Sequence, residues 1–332
     1  MSYENNILRT AAARLRARSE RHAREIYDLR SRLYQEQPAL SRLDAELRRT
    51  MVEVAELALS GAPDHGPRLE EIKARNLALQ RERTELLRTL GYGPAALDDA
   101  PLCPKCRDTG WVGAQMCDCL RKLCAEEQIR ELSKLLDLGE QSFDKARLDV
   151  YSDRIEEGQK RSSREHMRQV FSFCEGYARQ FGAHPVKNLF FTGGTGLGKT
   201  FLSACIAREV SAAGHSVVYD TAINIFATFE ARKFAREFEQ EREARDDARR
   251  YLNCDLLILD DLGSEMTTQM VQMALYELVN SRLVAGKRTI ISSNLSMDEV
   301  RARYTPQIAS RLAGEYRTIA FFGEDIRLGS RR

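Results

Sequence analysis

Two stretches of this chain carry residue types and spacings that could do chemistry. The first is Gly193-Gly194-Thr195-Gly196-Leu197-Gly198-Lys199-Thr200. Glycines at this spacing let a backbone curl until its N–H groups point at an anion. The lysine that follows could reach phosphate oxygens, and the threonine hydroxyl could ligate a divalent cation. The second stretch is Cys103-Pro104-Lys105-Cys106, separated by ten residues from Cys117-Asp118-Cys119. Two thiolates on each of two adjacent turns can close a tetrahedron around zinc.

The glycine stretch sits where such chemistry needs it. Residues 188–192, Asn-Leu-Phe-Phe-Thr, read as a short buried strand that runs into the loop, and residues 201–212 read as a helix leaving it. The helix N-terminus adds its positive dipole end. This context predicts a site for nucleotide phosphates, ATP with Mg2+, in which Lys199 reaches the β- and γ-phosphates and Thr200 ligates magnesium. A second strand, Leu256-Leu257-Ile258-Leu259, ends in Asp260-Asp261. Asp260 is expected to hold magnesium, directly or through water, and Asp261 to polarise an attacking water. Alone, this pattern would also suit a strand followed by an acidic turn. A third strand over 289–293 ends in Asn294, a neutral group able to orient water or contact the γ-phosphate.

Eight cysteines are unevenly placed, five of them between positions 103 and 124. In a reducing compartment such crowding reads as metal binding before disulfide. Gly110 and Gly113 suit a small ribbon between the two pairs, and Cys124 is a spare or replacement ligand. The second pair is tighter than a usual zinc knuckle, and a redox pair or unliganded thiols is the alternative. No ligand position looks open for catalysis, so the expected role of the metal is to hold a small domain together.

Other elements must position these groups. Strand runs at 188–192, 216–219, 256–259 and 289–293 alternate with helices, which predicts a parallel sheet covered on both faces. The first ~90 residues read as helix. Ile26, Leu33, Leu40 and Leu47 form one seven-residue row, and Leu8, Leu15, Leu29 and Leu43 a second, broken one. Such rows suit a helical hairpin or short coiled coil. Pro38 is expected to end one helix and open the next. Residues 61–67 read as a loop, 68–90 as a third helix, 91–101 as a linker and 120–136 as helix.

Residues 1–50 hold eleven arginines, no lysine and seven acidic residues. A solvated surface or a helix packed on a partner explains this better than direct DNA contact. The formal net charge is only +2, so the chain has no global signature of a nucleic-acid binder. The start lacks a basic region followed by an apolar stretch, and no apolar run approaches bilayer length. A cytoplasmic location is expected.

The order of phosphate loop, acidic strand and polar-tipped strand resembles the AAA+ ATPases. Within that class the chain resembles the bacterial DnaC/DnaI helicase-loader family. The residues that carry the resemblance are Gly193–Thr200, 256–263, Ser292-Ser293-Asn294, Ser310-Arg311-Leu312 and Gly323-Glu324-Asp325-Ile326-Arg327. The cysteine segment from Cys103 to Leu120 looks like the zinc-binding part of DnaI-type loaders. The resemblance covers about residues 101–327, while the first ~90 residues match only in being helical.

The resemblance implies an α/β AAA+ P-loop domain, with a parallel sheet flanked by helices, over residues 151–332. Before it would lie an α-helical partner-binding region (1–95), a zinc ribbon (96–125) and a helical linker (126–150). It implies that Arg311 completes the ATP site of a neighbouring subunit and that Arg327 contacts nucleotide in its own. A surface position is the plainer alternative for either arginine. The class usually carries Asp-Glu where this chain has Asp260-Asp261, one methylene shorter, so slow, partner-stimulated hydrolysis is expected. The implied partners are a DnaB-type hexameric replicative helicase, single-stranded DNA, and further copies of this chain in an ATP-dependent homo-oligomer.

The stretch 221–253 is long for a simple connection. Phe226, Phe229, Phe234 and Phe238 could stack on bases there. Packing of a helix pair onto the sheet is the favoured alternative for each. Residues 230–250 carry seven basic and seven acidic groups, which does not suit a strong phosphate track. Two other functions compete with the loader. One is an IstB-type transposition helper; the other is a zinc-stabilised adaptor that uses ATP as a structural switch with little hydrolysis. A metabolic P-loop kinase ranks behind both.

Overall fold

Short apolar runs in the second half of the chain assemble into a five-stranded sheet in which every pairing is parallel. The computed structural model describes residues 3–59, 66–136, 141–155, 158–234 and 238–329. Its first three helices are α1 (Asn5–Glu36), α2 (Pro38–Leu59) and α3 (Gly66–Thr89). A two-stranded hairpin, β1 (Trp111–Val112) and β2 (Gln115–Met116), leads to α4 (Asp118–Leu136). Then come α5 (Ser163–Arg179), β3 (Asn188–Thr192), α6 (Lys199–Ala212), β4 (Val217–Thr221), α7 (Ala222–Phe234) and α8 (Phe238–Asn253). The chain continues through β5 (Leu256–Leu262), α9 (Gln269–Val284), β6 (Arg288–Ser293), α10 (Met297–Arg303), α11 (Pro306–Glu315), β7 (Tyr316–Ala320) and α12 (Ile326–Gly329).

The strand order β4-β5-β6-β3-β7 places the strand that feeds the glycine loop between β6 and β7. Strands buried on both faces read as continuous apolar runs, as Leu189-Phe190-Phe191 and Leu256–Leu259 do. One face of the sheet packs with α5 and α6 through Phe191, Ile206, Tyr177 and Met167. The other packs with α7 and α9 through Leu257, Phe229, Leu275 and Leu278. This is the α/β architecture expected from the sequence, a parallel sheet with helices on both faces.

Strand β7 was not anticipated. Its run Tyr-Arg-Thr-Ile-Ala lacks a continuous apolar pattern because it lies at the sheet edge, where only Tyr316 and Ile319 turn inward. Phe226 and Phe229 belong to the core beneath the sheet, which bears out the favoured reading of packing over stacking on bases. The side chains of Phe234 and Phe238 lie outside the described residues.

Two compact units divide the chain: Met1–Ala12 with Asp118–Arg332, and Ala13–Cys117. These boundaries differ from the expected 95/96, 125/126 and 150/151. The supposed helical linker is core, since Leu132 and Leu136 of α4 share a cluster with Val217 and Ala207. Gln128 of α4 donates to Ser211 Oγ (2.7 Å) and the His215 carbonyl (2.8 Å) and accepts from the Val217 amide (2.9 Å). Tyr3, at the other end of the sequence, donates to the Gly214 carbonyl at 2.7 Å.

Within Ala13–Cys117, Leu33 and Leu40 of the first seven-residue row pack with Leu87 and Leu97. Pro38 opens α2 as its first residue, where its missing N–H costs nothing. Arg83 ties α3 to Asp44 (2.6 Å), to the Pro94 carbonyl (2.9 Å) and to Asp98 (3.1 Å). Residues 60–65 of the expected loop lie outside the described residues. Among the described residues no helix is long and apolar enough to cross a membrane.

Candidate nucleotide site and cysteine cluster

The glycine loop follows β3 and turns into α6 through three glycines in the left-handed region, Gly193 (φ 143°), Gly196 (φ 71°) and Gly198 (φ 94°). A side chain at any of them would collide with a neighbour. The nearest atoms would be the Phe321 carbonyl, the Asp325 carboxylate and the Tyr151 hydroxyl. The last part of the chain therefore cradles the loop. The Phe321 amide donates to the Thr192 carbonyl (2.7 Å), the Ile326 amide to the Gly196 carbonyl (3.1 Å), and Tyr151 Oη to the Leu197 carbonyl (3.0 Å).

Lys199 is buried at the first turn of α6, and its ammonium uses three donors. They go to the Gly193 carbonyl (2.6 Å), the Gly194 carbonyl (2.7 Å) and Asn294 Oδ1 (2.8 Å). Burial pulls its pKa below the usual lysine range, against the pull of Asp260 and Asp261. These acceptors are ones that an arriving phosphate would replace.

Neighbouring residues on a regular strand face opposite ways. Asp260 and Asp261 nevertheless line the same cleft. The register of β5 on β6 is broken between Leu259 and Leu262, and Asp261 takes a left-handed φ of 59°. Such a backbone is uncommon for a non-glycine residue, though aspartate tolerates it better than most. Asp261 Oδ1 accepts from Asn294 Nδ2 at 3.2 Å, and its amide donates to Ser292 Oγ at 3.1 Å. Asp260 is buried and accepts from Thr200 Oγ1 (3.2 Å), Tyr219 Oη (2.6 Å) and the Ser292 hydroxyl. Burial and the adjoining Asp260 carboxylate push the Tyr219 phenol far above its ordinary pKa, so it remains a donor.

Tyr219 and Tyr151 went unremarked in the sequence, and Ser292 entered only as part of the resemblance, without a role at Asp260. The missed signal was their position on the strands flanking β5 or beside the loop, which only sheet order reveals.

A cleft of about 500 Å3 collects Thr195–Thr200, Asp260, Asp261, Asn294 and Arg327. Thr200 and Asp260 could hold magnesium, and the loop amides could hold phosphate. Arg327 follows Asp325, whose Oδ1 accepts from the Arg327 amide at 2.9 Å. Arg311 is not among the cleft residues; its guanidinium lies over the Tyr276 ring, 5.4 Å from the centroid.

Residues 181–314 match the family described as IstB-like ATP binding protein. The matched segment is less than half of the chain. Among curated relatives, the chain is 23% identical over 125 residues to the uncharacterized protein YdaV of Escherichia coli (strain K12), covering 38% of this chain and 48% of YdaV. It is 29% identical over 125 residues to the replicative helicase loader DnaI of Bacillus subtilis (strain 168), covering 36% of this chain and 37% of DnaI. The chain thus spans less than half the length of these relatives. A crystal structure of the DnaC helicase loader superposes at a TM-score of 0.42 with 18% identity, covering 54% of this chain and 98% of that one. The matched segment runs from before β3 into α11 and so contains Lys199, Asp260, Asp261 and Asn294.

The sulfurs of Cys103, Cys106, Cys117 and Cys119 all lie within 4.8 Å of one another. The turn after Cys106 is built by left-handed Arg107 (φ 52°) and Asp108 (φ 62°). Asp108 accepts from the Leu102 amide (3.0 Å) and the Cys103 amide (2.8 Å), fixing the first pair. The Cys117 amide donates to the Gly110 carbonyl (2.9 Å), bringing the second pair alongside across the β1–β2 hairpin. The Cys106 amide and neighbouring thiols hold the Cys103 thiol down at about 7. Four convergent thiols, with that of Cys103 lowered, fit the demands of zinc, which binds thiolate. Cys124 is outside the quartet; it is fully buried on α4, and burial pushes its thiol up to about 11.

Proposed function

We propose that this chain is a slow ATPase that loads a hexameric, DnaB-type replicative helicase onto single-stranded DNA. The carrying observation is the cleft at the ends of β3, β5 and β6. It joins a phosphate loop, two carboxylates, a polar strand tip and Arg327. The description of the Bacillus subtilis relative as a replicative helicase loader supports the finer reading. So does the cysteine quartet, a feature of DnaI-type loaders by resemblance.

In this reading ATP phosphates sit on the loop amides and the N-terminus of α6. Lys199 exchanges its carbonyl and Asn294 acceptors for β- and γ-phosphate oxygens. Thr200 and Asp260 hold Mg2+, Asp261 polarises water, and Asn294 orients it. Arg327 contacts nucleotide in cis, and Arg311 serves a neighbouring copy. ATP thereby times assembly of a homo-oligomer in the cytoplasm. Zinc on Cys103, Cys106, Cys117 and Cys119 keeps the segment that grips the helicase folded.

The test is capture from native cell extract by the full chain with ATP, with ADP and without nucleotide. Enrichment of the replicative hexamer with ATP supports the loader. Failure to capture it under every condition would remove that reading. The match of residues 181–314 to the IstB-like family favours one second reading, an ATPase helper of transposition, and capture of a transposase would select it.

A further inference from the structure

A groove of about 610 Å3 runs between the exposed edge strand β7 and helix α5, with no residue in common with the nucleotide cleft. Three permanent cations line it: Lys160, Arg161 and Arg317, all exposed. His166 joins them from α5. Its Nε2–H donates to the Ala320 carbonyl at 2.6 Å, which fixes the ring beside the strand edge. Among the described residues lining the groove there is no carboxylate. Glu165, next to His166 in sequence, is engaged with Arg168 and with Gln169 Nε2 (3.3 Å). In a chain of formal net charge +2, this is a local concentration of one sign.

Aromatic rings alternate with the cations. The Arg317 guanidinium lies over Phe173, 4.7 Å from the ring centroid, and the His166 ring lies 4.5 Å from Phe322. Cations that follow a phosphate backbone, interleaved with rings on which bases stack, form the recognition surface for single-stranded nucleic acid. An acidic peptide would use the cations and leave the rings without a role. We propose that the groove formed by Lys160, Arg161, His166, Arg317, Phe173 and Phe322 binds a short run of single-stranded DNA. The site deepens the loader reading, on which it rests for the identity of the strand. It also moves the DNA contact away from Phe226 and Phe229, which are core residues.

Residues 320–327 join this groove to the nucleotide loop. Phe322 lines the groove, while the Phe321 and Ile326 amides bond to Thr192 and Gly196. One continuous segment therefore touches both sites.

The experiment is fluorescence anisotropy of a labelled oligothymidylate, titrated with the full chain in saturating ATP and Mg2+ at several salt concentrations. The parent is expected to bind. A triple variant, Lys160→Ala with Arg161→Ala and Arg317→Ala, is expected to lose at least about tenfold in affinity, and its log–log salt slope to shrink by about 2. Phe322→Ala is expected to lose about tenfold with an unchanged salt slope, and Phe322→Tyr to recover it. A fluorescent ATP analogue must bind the parent and every variant alike, which excludes misfolding. A triple variant with the parent's affinity and slope overturns the assignment, as does a parent that binds no oligonucleotide. A triple variant that keeps oligonucleotide binding but loses helicase capture overturns it in favour of a protein dock. Helicase capture by the parent is a separate readout, so failure of the loader reading and failure of this groove are told apart.

Discussion

The Tyr219 hydroxyl, from the middle of β4, donates to Asp260 Oδ2 at 2.6 Å on the neighbouring strand β5. The same oxygen accepts from Thr200. One carboxylate thus connects the phosphate loop, the acidic strand and a tyrosine whose role is positional. A group that orients a magnesium ligand is typically worth about 10–100-fold in metal affinity. Tyr219→Phe is therefore expected to raise the Mg2+ concentration for half-maximal ATP hydrolysis by at least about tenfold, with the fold intact. An unchanged magnesium dependence would leave Tyr219 as packing only.

Lys199→Ala and Asp261→Asn should separate binding from hydrolysis. Lys199 is the buried cation at the loop, so its loss is expected to abolish measurable ATP binding by isothermal titration. Asp261→Asn keeps the shape and the Asn294 contact while removing the charge. It is expected to retain ATP affinity within about threefold and to lower turnover by about 100-fold or more. Unchanged turnover would take Asp261 out of the reaction and favour the adaptor in which ATP is only a switch.

The cysteine quartet predicts about one zinc per chain, measured by elemental analysis of protein purified without added metal. Cys106→Ser should lower that content and the melting temperature together. The single tryptophan, Trp111, lies on β1 between the two cysteine pairs. Its emission should therefore shift when a chelator strips the metal. Metal-free protein with an unshifted Trp111 and the same melting temperature would favour unliganded thiols.

Arg282 is fully buried in α9, and its described hydrogen bonds go to no carboxylate. It donates instead to the carbonyls of Tyr251 (2.6 Å), Cys254 (3.1 Å) and Arg288 (2.6 Å) and to Thr289 Oγ1 (2.9 Å). It thereby ties the end of α8 to the starts of β5 and β6. Arg282→Ala would strand these acceptors and leave a cavity, which is expected to cost about 3–5 kcal/mol in urea unfolding. A loss below about 1 kcal/mol would mean that water replaces the guanidinium without strain.

Legibility in this chain follows sequence distance. The phosphate loop, the two aspartates and the cysteine pairs are contiguous motifs whose chemistry depends on close spacing, so residue order alone displayed them. The parallel α/β class was equally open to reading, because buried parallel strands must be apolar throughout and the helices between them amphipathic. The edge strand β7 was not, because three of its five side chains face outward and only pairing with β3 makes it a strand. The unit boundaries were hidden for a similar reason. Gln128 looks like any polar helix residue until the helix is seen against β4.

By itself, then, the order of residues determined which groups could meet a phosphate or a metal. The tertiary structure decided how they meet. A broken register and a left-handed Asp261 turn two successive carboxylates into one cleft. Sheet order brings Tyr219 and Ser292 to Asp260, and the terminal segment closes over Gly196. It also lines β7 with Arg317 opposite Lys160 and Arg161, cations more than 150 residues apart in sequence. Pairing across such distances depends on strand order and packing, which no local pattern encodes.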